Sequence, residues 1–577
     1  MLVLSASWTG RPTHVRRNGM GGSVTAIDDI RFPEPDEIEG FWAFDKMHSP
    51  RPLTPLSQDL VMTTLSQGFT RAQVEYDCPV VASSQAINHY FFMSFHPHPE
   101  QAVIEDRMTR YLDTLQSKVP VVGKRWTNEW LPLVRDRNEA ERDADYSSLS
   151  DVELVSKLDE MTDWMREMWY VHGHINFALL SGAALSDMYV EVMQPEDPTE
   201  SYQILQGYHT RPVDAAHALW ALSRTAKDSP ELSAVFAENH PKAIAGKLAE
   251  SEQGRAFLVE LDKFLYDFGW RSDAVYDLAD VPWREDPSIP LGNIARFVKM
   301  DETDDPLINF QRAIKLREDL TKKIRDKLAD EPDKLAKFDE LFDAAKFAYP
   351  LTEDHAFYID QMGVVLFRRF VLAVGDRLAE KGCIDERDDV FLLHCDEVVD
   401  ALQNDTDQRR LATKRRAEMD AAAQVTPPGA VGTPPPPPQP GDFVDPFIDA
   451  IVVRLLGIKP PNEGEEDPDV IDGVAGSPGT YRGVARVVRS LDEAGELEDG
   501  EVMVCEMTLP PWVPMFAIAG AVVADVGGVM SHCAIVAREF DIPAVVGSVN
   551  GTDRITTGQT VTVDGTKGNV YLDGREL

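Results

Sequence analysis

The hydrophobic and polar positions along this chain follow two different patterns. Over most of its length, apolar residues recur at steps of three and four, as in Asp151–His172 and Ile308–Leu328. This spacing is typical of helices that bury one face. Towards the C-terminus, valine-rich runs such as Gly479–Val488 and Thr560–Gly565 are separated by glycine and acidic turns, which is typical of strands. The pattern predicts a multidomain protein, with a mainly α-helical domain followed by a small α/β domain.

A proline-rich tract from Thr426 to Gly441, TPPGAVGTPPPPPQPG, divides the two patterns. Prolines at this density exclude helix interiors and central strands and favour extended polyproline II. Such a tract is either an inert spacer or a tether for a domain that moves. The predicted order is a disordered extension, a helical domain, a proline-rich linker, a connecting helical segment and the α/β domain, over residues 1–26, 27–424, 425–442, 443–471 and 472–577.

Charge and cysteine content narrow the classes of function. The chain has 577 residues and a formal net charge of −40, so duplex DNA and anionic membrane surfaces repel it, and we expect neither a nucleic-acid nor a membrane partner. No apolar stretch reaches the roughly 18 residues of a membrane span. The 5 cysteines form no CxxC pair, which argues against a disulfide scaffold or zinc ribbon and favours a cytoplasmic location.

The segment ADVGGVMSHCAIVAREFDIPAVVG, Ala524–Gly547, combines a strand end, a turn and a helix start. Gly527 and Gly528 permit a tight turn and close backbone approach to a ligand. Ser531 can cap the helix that follows, in whose first turn His532 then lies. Free N–H groups and the helix dipole favour an anion there, so His532 can take up a phosphoryl group and hand it on. The alternative is a histidine that merely caps or packs.

The stretch around His532 resembles the swivelling phosphohistidine domain of the PEP-utilising enzymes. The likeness extends upstream through GSPGTYRGVARVV and TLPPWVPMFAIAGAVVAD and downstream to VTVDGTKGNVYL, and so covers Asp472–Leu577. It implies that the α/β domain is a mobile carrier and that His532 is phosphorylated. The residues expected to bind the phosphoryl group are Gly527, Gly528, Ser531 and Arg538.

The helical part resembles the substrate-binding region of rifampicin phosphotransferase and its relatives. The likeness lies in Phe268–Leu291, FGWRSDAVYDLADVPWREDPSIPL, where Trp270 replaces the usual histidine. We expect Arg271 to hold the phosphoryl group during transfer, because a guanidinium binds phosphate through paired hydrogen bonds. The alternative is that Arg271 is a structural ion-pair partner of Asp277 or Glu285.

The sequence carries no recognisable ATP-grasp module, neither a glycine-rich phosphate loop with its lysine nor matching magnesium ligands. This layout resembles the larger subunit of phenylphosphate synthase and of the enzymes that phosphorylate 4-cresol. It implies that ATP and Mg2+ bind to a separate ATP-grasp subunit, similar to the N-terminal part of PEP synthase, which phosphorylates His532. The carrier would then phosphorylate a phenol or alkylphenol, giving aryl phosphate, AMP and phosphate. The alternatives are a non-catalytic phosphocarrier or regulatory module, and an antibiotic-hydroxyl phosphotransferase subunit.

A phenol has a pKa of about 10, so its attack on the phosphoryl group favours a nearby base. The stretch Leu351–Met362, LTEDHAFYIDQM, is similar to one in the phenol-phosphorylating chains. We expect His355 to be this base, although it can also be only a helix-end residue. Its expected polar neighbours in the acceptor site are Glu353, Asp354 and Tyr358.

His172 is the second candidate for the base, and Trp169 on the preceding turn is expected to line the same apolar pocket. His174 lies two positions further along. Residues two apart on a helix point in different directions, so His172 and His174 do not form a metal pair. The sequence therefore predicts no metal site.

Overall fold

The computed structural model describes residues 30–575 except residues 47, 99, 273–274, 435–444, 458–466, 490–492 and 509–511. The predicted extension over residues 1–26 lies outside the described residues. The remaining chain is rich in helix, with a small α/β unit at its C-terminal end, as predicted. None of the helices that the structure describes is both long and apolar enough to cross a membrane.

Most of the described helical chain lies in helices of 8 or more residues. In chain order they are α1 Thr63–Glu75, α2 Gln101–Met108, α3 Tyr111–Lys118, α4 Leu131–Arg142, α5 Asp151–Met193, α6 Arg211–Lys227, α7 Pro230–Glu238, α8 Pro241–Ala249, α9 Glu252–Phe268, α10 Ser288–Lys299, α11 Pro306–Lys327, α12 Pro332–His355, α13 Met362–Glu380, α14 Cys395–Asn404, α15 Arg409–Ala422 and α16 His532–Glu539.

The central element of the helical part is α5, which has 43 residues. It starts in a capping box, in which the Ser150 side chain accepts from the N–H of Glu153 and the Glu153 side chain accepts from the N–H of Ser150. This arrangement satisfies two backbone donors that a helix start leaves free. The helices α1 and α12 both pack along α5. They place the last residues of α12 beside the middle of α5, where His172 lies.

A π-helical segment, Ala356–Gln361, joins α12 to α13. The apolar pattern predicts one continuous helix from His355 to Glu380, whereas the structure begins the regular helix only at Met362. Pro350 lies inside α12 just before this segment. A wider π turn shifts the side chains relative to a regular helix, and such turns occur often at functional sites.

The strands form two sheets. A four-stranded antiparallel sheet with the order β2-β3-β1-β4 lies in the helical part, and an eight-stranded sheet with the order β5-β12-β11-β7-β8-β9-β10-β6 forms the α/β unit. In chain order the strands are β1 Phe41–Phe44, β2 Val80–Ile87, β3 Tyr90–Pro97, β4 Ala430–Gly432, β5 Val470–Asp472, β6 Val474–Ser477, β7 Thr480–Val488, β8 Val502–Cys505, β9 Ala521–Ala524, β10 Ala544–Val546, β11 Thr560–Asp564 and β12 Asn569–Tyr571.

The middle of the eight-stranded sheet is parallel, with β7, β8, β9 and β10 side by side. All residues of β8 and β9 are buried, as expected for parallel strands that are covered on both faces. The chain leaves β9 at its carboxyl end and turns into α16. This topology places His532 at the edge of the sheet where ligands bind in many α/β folds.

The start of the predicted linker is part of a sheet. Within the span 425–442, Ala430–Gly432 form β4 and pair antiparallel with β1, and the Thr433 N–H donates to the carbonyl of Gly40. Val431 packs in a cluster with Tyr90 and other aromatic residues. Polyproline II therefore does not describe this part of the tract. The most proline-rich part, residues 435–440, lies outside the described residues.

The connecting segment beyond the tract is also bound to the helical part. Tyr111 donates a hydrogen bond of 2.6 Å to Asp445, and Phe447 stacks on Phe177 with ring centroids 4.2 Å apart. Ile451 belongs to the main hydrophobic core of the helical part. The described chain on both sides of residues 435–444 is thus attached to the helical part.

Candidate functional site

The local structure around His532 follows the prediction. Strand β9 ends at Ala524, a turn follows, and Ser531 caps α16, with its side chain accepting from the N–H of Ala534. His532 is the first residue of this helix. The side chains of Met530 and Ile535, on either side of it, pack into the cores of the helical part. His532 is thereby held against the helical part in this structure.

The double glycine faces the connecting segment. The Gly527 and Gly528 N–H groups donate to the carbonyls of Leu456 and Leu455, at 3.1 and 2.7 Å. A Cβ on Gly528 would lie 2.3 Å from the Arg454 carbonyl oxygen, so only glycine permits this approach. The predicted phosphate-binding role of both glycines is not seen in this arrangement, because protein carbonyls occupy their donors.

Arg538 is buried under the same turn. Its guanidinium donates to the Gly476 carbonyl at 2.6 Å and to the Val529 carbonyl at 2.9 Å, and it lies over the Tyr202 ring. These contacts hold the loop before His532 in place. The structure therefore gives Arg538 a bracing role in this arrangement and not the predicted contact with a phosphoryl group.

His532 forms a hydrogen bond to the helical part. Its Nδ1 lies 2.9 Å from Oε2 of Glu353, near the end of α12, and both side chains are largely buried. In the tautomer that carries its proton on Nδ1, the imidazole donates to this carboxylate and Nε2 has the free lone pair. Nε2 is itself buried without a hydrogen-bond partner. Buried polar atoms without a partner are rare, and this one marks the position at which a group can be held.

A cavity of about 1600 Å³ opens beside His532. Its wall is formed by α5, the end of α12, the π-helical segment, strands β1 and β3 and the loops of the α/β unit. Both His532 and Glu353 line it, and so do His172, His355 and Asp360. The predicted acceptor candidates His172 and His355 therefore share one cavity with the predicted phosphoryl carrier.

His172, His355 and Asp360 form one buried cluster. Nδ1 of His172 lies 2.9 Å from Oδ1 of Asp360, and Nδ1 of His355 donates to the Leu351 carbonyl at 2.8 Å. The imidazole rings meet edge to face, with centroids 4.4 Å apart. Burial and the neighbouring His172 lower the pKa of His355 to about 4, so it is neutral near pH 7.

Sequence reasoning missed Asp360 and His48. Asp360 lies within the quoted stretch Leu351–Met362 and was not singled out, because its partner His172 is 188 positions earlier. His48 lines the same cavity and stacks on Tyr276. Its Nδ1 lies 3.0 Å from Asp45, which raises the pKa of His48 despite its burial. His48 lies in the stretch FWAFDKMHSPRPLTPL, which is similar to the start of the substrate-binding region of rifampicin phosphotransferase, but the pattern does not distinguish His48 within it.

Three predicted acceptor-site residues lie behind the cavity wall. Trp169 is fully buried and packs on His172 with ring centroids 5.6 Å apart, but does not line the cavity. Asp354 accepts from the backbone N–H of Arg211, and burial raises its pKa to about 6. Tyr358 packs against the main core. None of the three therefore lines the cavity in this arrangement.

Arg271 lies outside the cavity. It is 1% exposed, its guanidinium lies over the Phe357 ring, and burial lowers its pKa to about 9. Asp277 accepts instead from Thr54 and Ser57, and Glu285 accepts from Arg368. Arg271 thus forms neither of the two alternative ion pairs and lies away from the cavity in this arrangement.

Two family models match the chain. Residues 171–353 match the fourth domain of rifampicin phosphotransferase, and residues 497–568 match the mobile domain of PEP-utilising enzymes. The first match contains His172 and Glu353, and the second contains His532. The two matched regions thus meet at the contact between Glu353 and His532.

Relatives with curated names match most of the chain. The chain is 31% identical over 565 residues to chondramide synthase cmdD of Chondromyces crocatus, covering 94% of this chain and 14% of the relative. It is 27% identical over 540 residues to the uncharacterized phosphotransferase YvkC of Bacillus subtilis strain 168, covering 93% and 62%. It is 26% identical over 359 residues to rifampicin phosphotransferase of Streptomyces sviceus, covering 62% and 39%. The chain thus spans less than two thirds of the length of these relatives.

Proposed function

The chain belongs to the PEP-utilising enzyme family, and from this premise we propose that it is the acceptor-binding and carrier part of a phosphotransferase. His532 carries the phosphoryl group on Nε2, and the helical part holds the hydroxyl compound that receives it. The α/β unit swivels between the site where His532 is loaded and the cavity of the helical part. The arrangement described above is the one at the acceptor cavity.

The hydrogen bond between His532 and Glu353 carries this proposal. Glu353 belongs to the helical part and holds the Nδ1 proton of a residue in the α/β unit. This fixes the tautomer in which Nε2 has the free lone pair. Negative charge on Glu353 also stabilises the imidazolium while Nε2 carries a phosphoryl group. Nε2 is buried next to the cavity, where water competes less for the group.

The transfer step follows from the positions of the side chains. The hydroxyl oxygen attacks phosphorus, the Nε2–P bond breaks and its electron pair returns to the imidazole of His532. Phosphoryl transfer depends mainly on positioning and on charge stabilisation. The hydroxyl proton leaves towards the cluster of His172, His355 and Asp360, which lines the same cavity.

The acceptor proposed from the sequence is a phenol or alkylphenol. The cavity volume of about 1600 Å³ exceeds the roughly 300–1,000 Å³ of pockets for drug-sized ligands. A simple phenol would leave most of this space unfilled. The volume therefore favours the alternative acceptor, an antibiotic-like compound that is large and mainly apolar and presents one hydroxyl to His532.

The phosphoryl donor is proposed to be a separate ATP-grasp subunit that binds ATP and Mg2+. The support for this part of the proposal is the resemblance to the larger subunit of phenylphosphate synthase, which implies a donor on another polypeptide. In this scheme, this chain supplies the helical cavity and the phosphohistidine. A non-catalytic phosphocarrier is the competing function, and an acceptor assay separates the two.

The test loads the histidine chemically and so does not need the partner. Potassium phosphoramidate phosphorylates histidine, and acid-labile label on His532 is measured by 31P NMR and mass spectrometry. The wild-type chain should gain label at this position, and His532→Ala should not. The labelled chain is then mixed with phenols and with large hydroxylated compounds, and phosphate-ester formation is followed.

The variants His355→Ala and Glu353→Gln test the two steps separately, transfer to the acceptor and labelling of His532. His355→Ala should still be labelled on His532 but should slow transfer by roughly 10²–10⁴, the range for loss of acid–base assistance. Glu353→Gln should change the pH profile of His532 labelling, because the amide cannot stabilise the imidazolium. Equal labelling of the wild type and His532→Ala would disprove the carrier role. A labelled chain that forms no phosphate ester with any of the acceptors would favour the non-catalytic carrier.

A further inference from the structure

We propose that His172, His355 and Asp360 bind a divalent transition-metal ion on the cavity wall that faces His532. The three residues are buried, and one ligand atom from each can be chosen so that all lie within 4.8 Å of one another. They come from three elements, α5, the end of α12 and the π-helical segment. The proposal that an ion binds here does not depend on the proposed function. Only the part of the ion in the reaction rests on that function.

One of the imidazoles is held as metal-binding histidines usually are. Such a histidine donates its other ring N–H to a carboxylate or a backbone carbonyl, which fixes the tautomer and the ring orientation. Here Nδ1 of His355 donates to the Leu351 carbonyl, which leaves Nε2 of His355 for the ion. His172 would bind the ion through Nδ1, which lies 2.9 Å from Oδ1 of Asp360, because an ion on the opposite ring nitrogen would be out of reach of that carboxylate.

Asp360 supplies the third ligand. It is 4% exposed, and its Oδ1 is engaged by His172 while its Oδ2 lies 3.8 Å from Nε2 of His355. That separation is too long for a hydrogen bond, and it leaves Oδ2 beside a free imidazole nitrogen. Metal–ligand distances of about 2.0–2.2 Å would be reached by movements of about 1 Å in these side chains.

The set of ligands indicates the class of ion. Two imidazole nitrogens and one carboxylate suit zinc, manganese or iron better than calcium or magnesium, which prefer oxygen ligands. Three protein ligands also leave a position open for a hydroxyl. This site is not the pair of His172 and His174 that the sequence argued against. Nε2 of His174 lies 3.5 Å from Oε2 of Glu75, and His174 is not one of the proposed ligands.

An ion at this position would bind the acceptor hydroxyl and lower its pKa, as metal ions do for bound water. The proton then leaves because of the charge of the ion, and neither imidazole has to accept it directly. The ligand at the open position would lie in the cavity that His532 also lines. The proposal thus gives the cluster a definite part in activating the acceptor.

The experiment measures metal binding by the full chain. After treatment with a chelator, the protein is titrated with Zn2+ by calorimetry and with Co2+ by visible absorption. We expect one tight site with nitrogen and oxygen ligands. His172→Ala, His355→Ala and Asp360→Asn should each weaken binding at least 10-fold. His96→Ala is the matched control on the wall of the same cavity and should leave the affinity unchanged.

The results separate this proposal from the carrier function. Absence of a tight site in the folded wild type, or equal affinity in His355→Ala and the wild type, would overturn the metal site. Asp360→Asn keeps the size of the side chain, so it serves as the ligand variant where an alanine variant fails to fold. His532→Ala should bind Zn2+ as the wild type does, because His532 is not a ligand. The phosphoramidate test of His532 stands whichever result is found.

Discussion

Glu539 is the last residue of α16, and its carboxyl group lies near Glu353. Burial, together with the negative charge of Glu353, raises the pKa of Glu539 to about 8. In the unfolded chain a glutamate has a pKa of about 4.3. Between these values the folded chain holds a proton that the unfolded chain releases. The free energy of unfolding therefore falls as the pH rises from about 5 to about 8.

Glu539→Gln should remove this pH dependence. The amide is neutral at every pH, so the variant should lose less stability than the wild type between pH 5 and pH 8. One proton changes the free energy of unfolding by at most about 1.4 kcal/mol per pH unit. Urea unfolding at pH 5, 6.5 and 8 measures the difference, with the exposed Glu380→Gln as control. Parallel profiles for Glu539→Gln and the wild type would refute the assignment.

Single residues also show how far sequence reasoning reached. Ser531 and His532 were predicted correctly in position, because a cap and a helix start depend on neighbouring residues. The pairing of His172 with Asp360 was missed, since contacts between distant positions are set by packing. Arg271 was placed in the site because arginines bind phosphate, yet in this structure it lies over Phe357 outside the cavity. Residue chemistry alone does not tell which way a side chain points.

The connecting segment contacts both units. Ala450 and Ile451 belong to the core of the helical part, whereas the carbonyls of Leu455 and Leu456 accept from the glycine turn of the α/β unit. Arg454 also forms an ion pair with Asp187 on α5. The proposed swivel of the α/β unit would therefore have to break contacts of this short segment.

Gly528→Ala should break this contact. The new Cβ would lie 2.3 Å from the Arg454 carbonyl oxygen, so the backbone of one partner must move. We expect a loss of more than about 1 kcal/mol in stability and faster proteolysis of the connecting segment. Gly246→Ala is the matched control, because a Cβ there meets nothing within 4 Å. A Gly528→Ala chain with wild-type stability and protection would contradict this packing.

Short elements were the hardest to predict from the pattern. Helix α5 was foreseen in part, because an apolar stripe repeats over many turns. Strand β4 has only three residues and exists through pairing with β1, some 390 positions earlier along the chain. The hydrophobic pattern does not predict the π-helical segment either, since one extra residue in a turn hardly changes the apolar spacing. It is nevertheless the element that carries Asp360.

At the scale of the whole molecule, the described residues that flank the proline tract bear on its predicted role as a tether. The described chain is attached to the helical part on both sides of residues 435–444, through β4 and through Asp445 and Phe447. The covalent path from the helical part to the α/β unit runs through residues 458–469. The proposed swivel would therefore depend on the length of that stretch.

Two chain variants test this assignment. Replacing prolines 435–438 with serines keeps the length, and transfer should stay within about 2-fold of the wild type. Deleting Pro461–Gly464 should lower labelling of His532 by an ATP-dependent partner at least 10-fold, because the carrier no longer reaches it. Transfer from phosphoramidate-loaded chain to the acceptor should survive the deletion. Strong impairment by the serine variant would restore the proline tract as the tether.

The contact between the glycine turn and the connecting segment has a consequence for the order of events. Each N–H of Gly527 and Gly528 can serve one acceptor at a time, either a protein carbonyl, as in this structure, or an oxygen of a bound phosphoryl group. Under the proposed swivelling mechanism, docking at the cavity would therefore exchange one set of partners for the other. The phosphoryl group would lose these two hydrogen bonds at the place where it is transferred, so docking itself would favour the forward reaction.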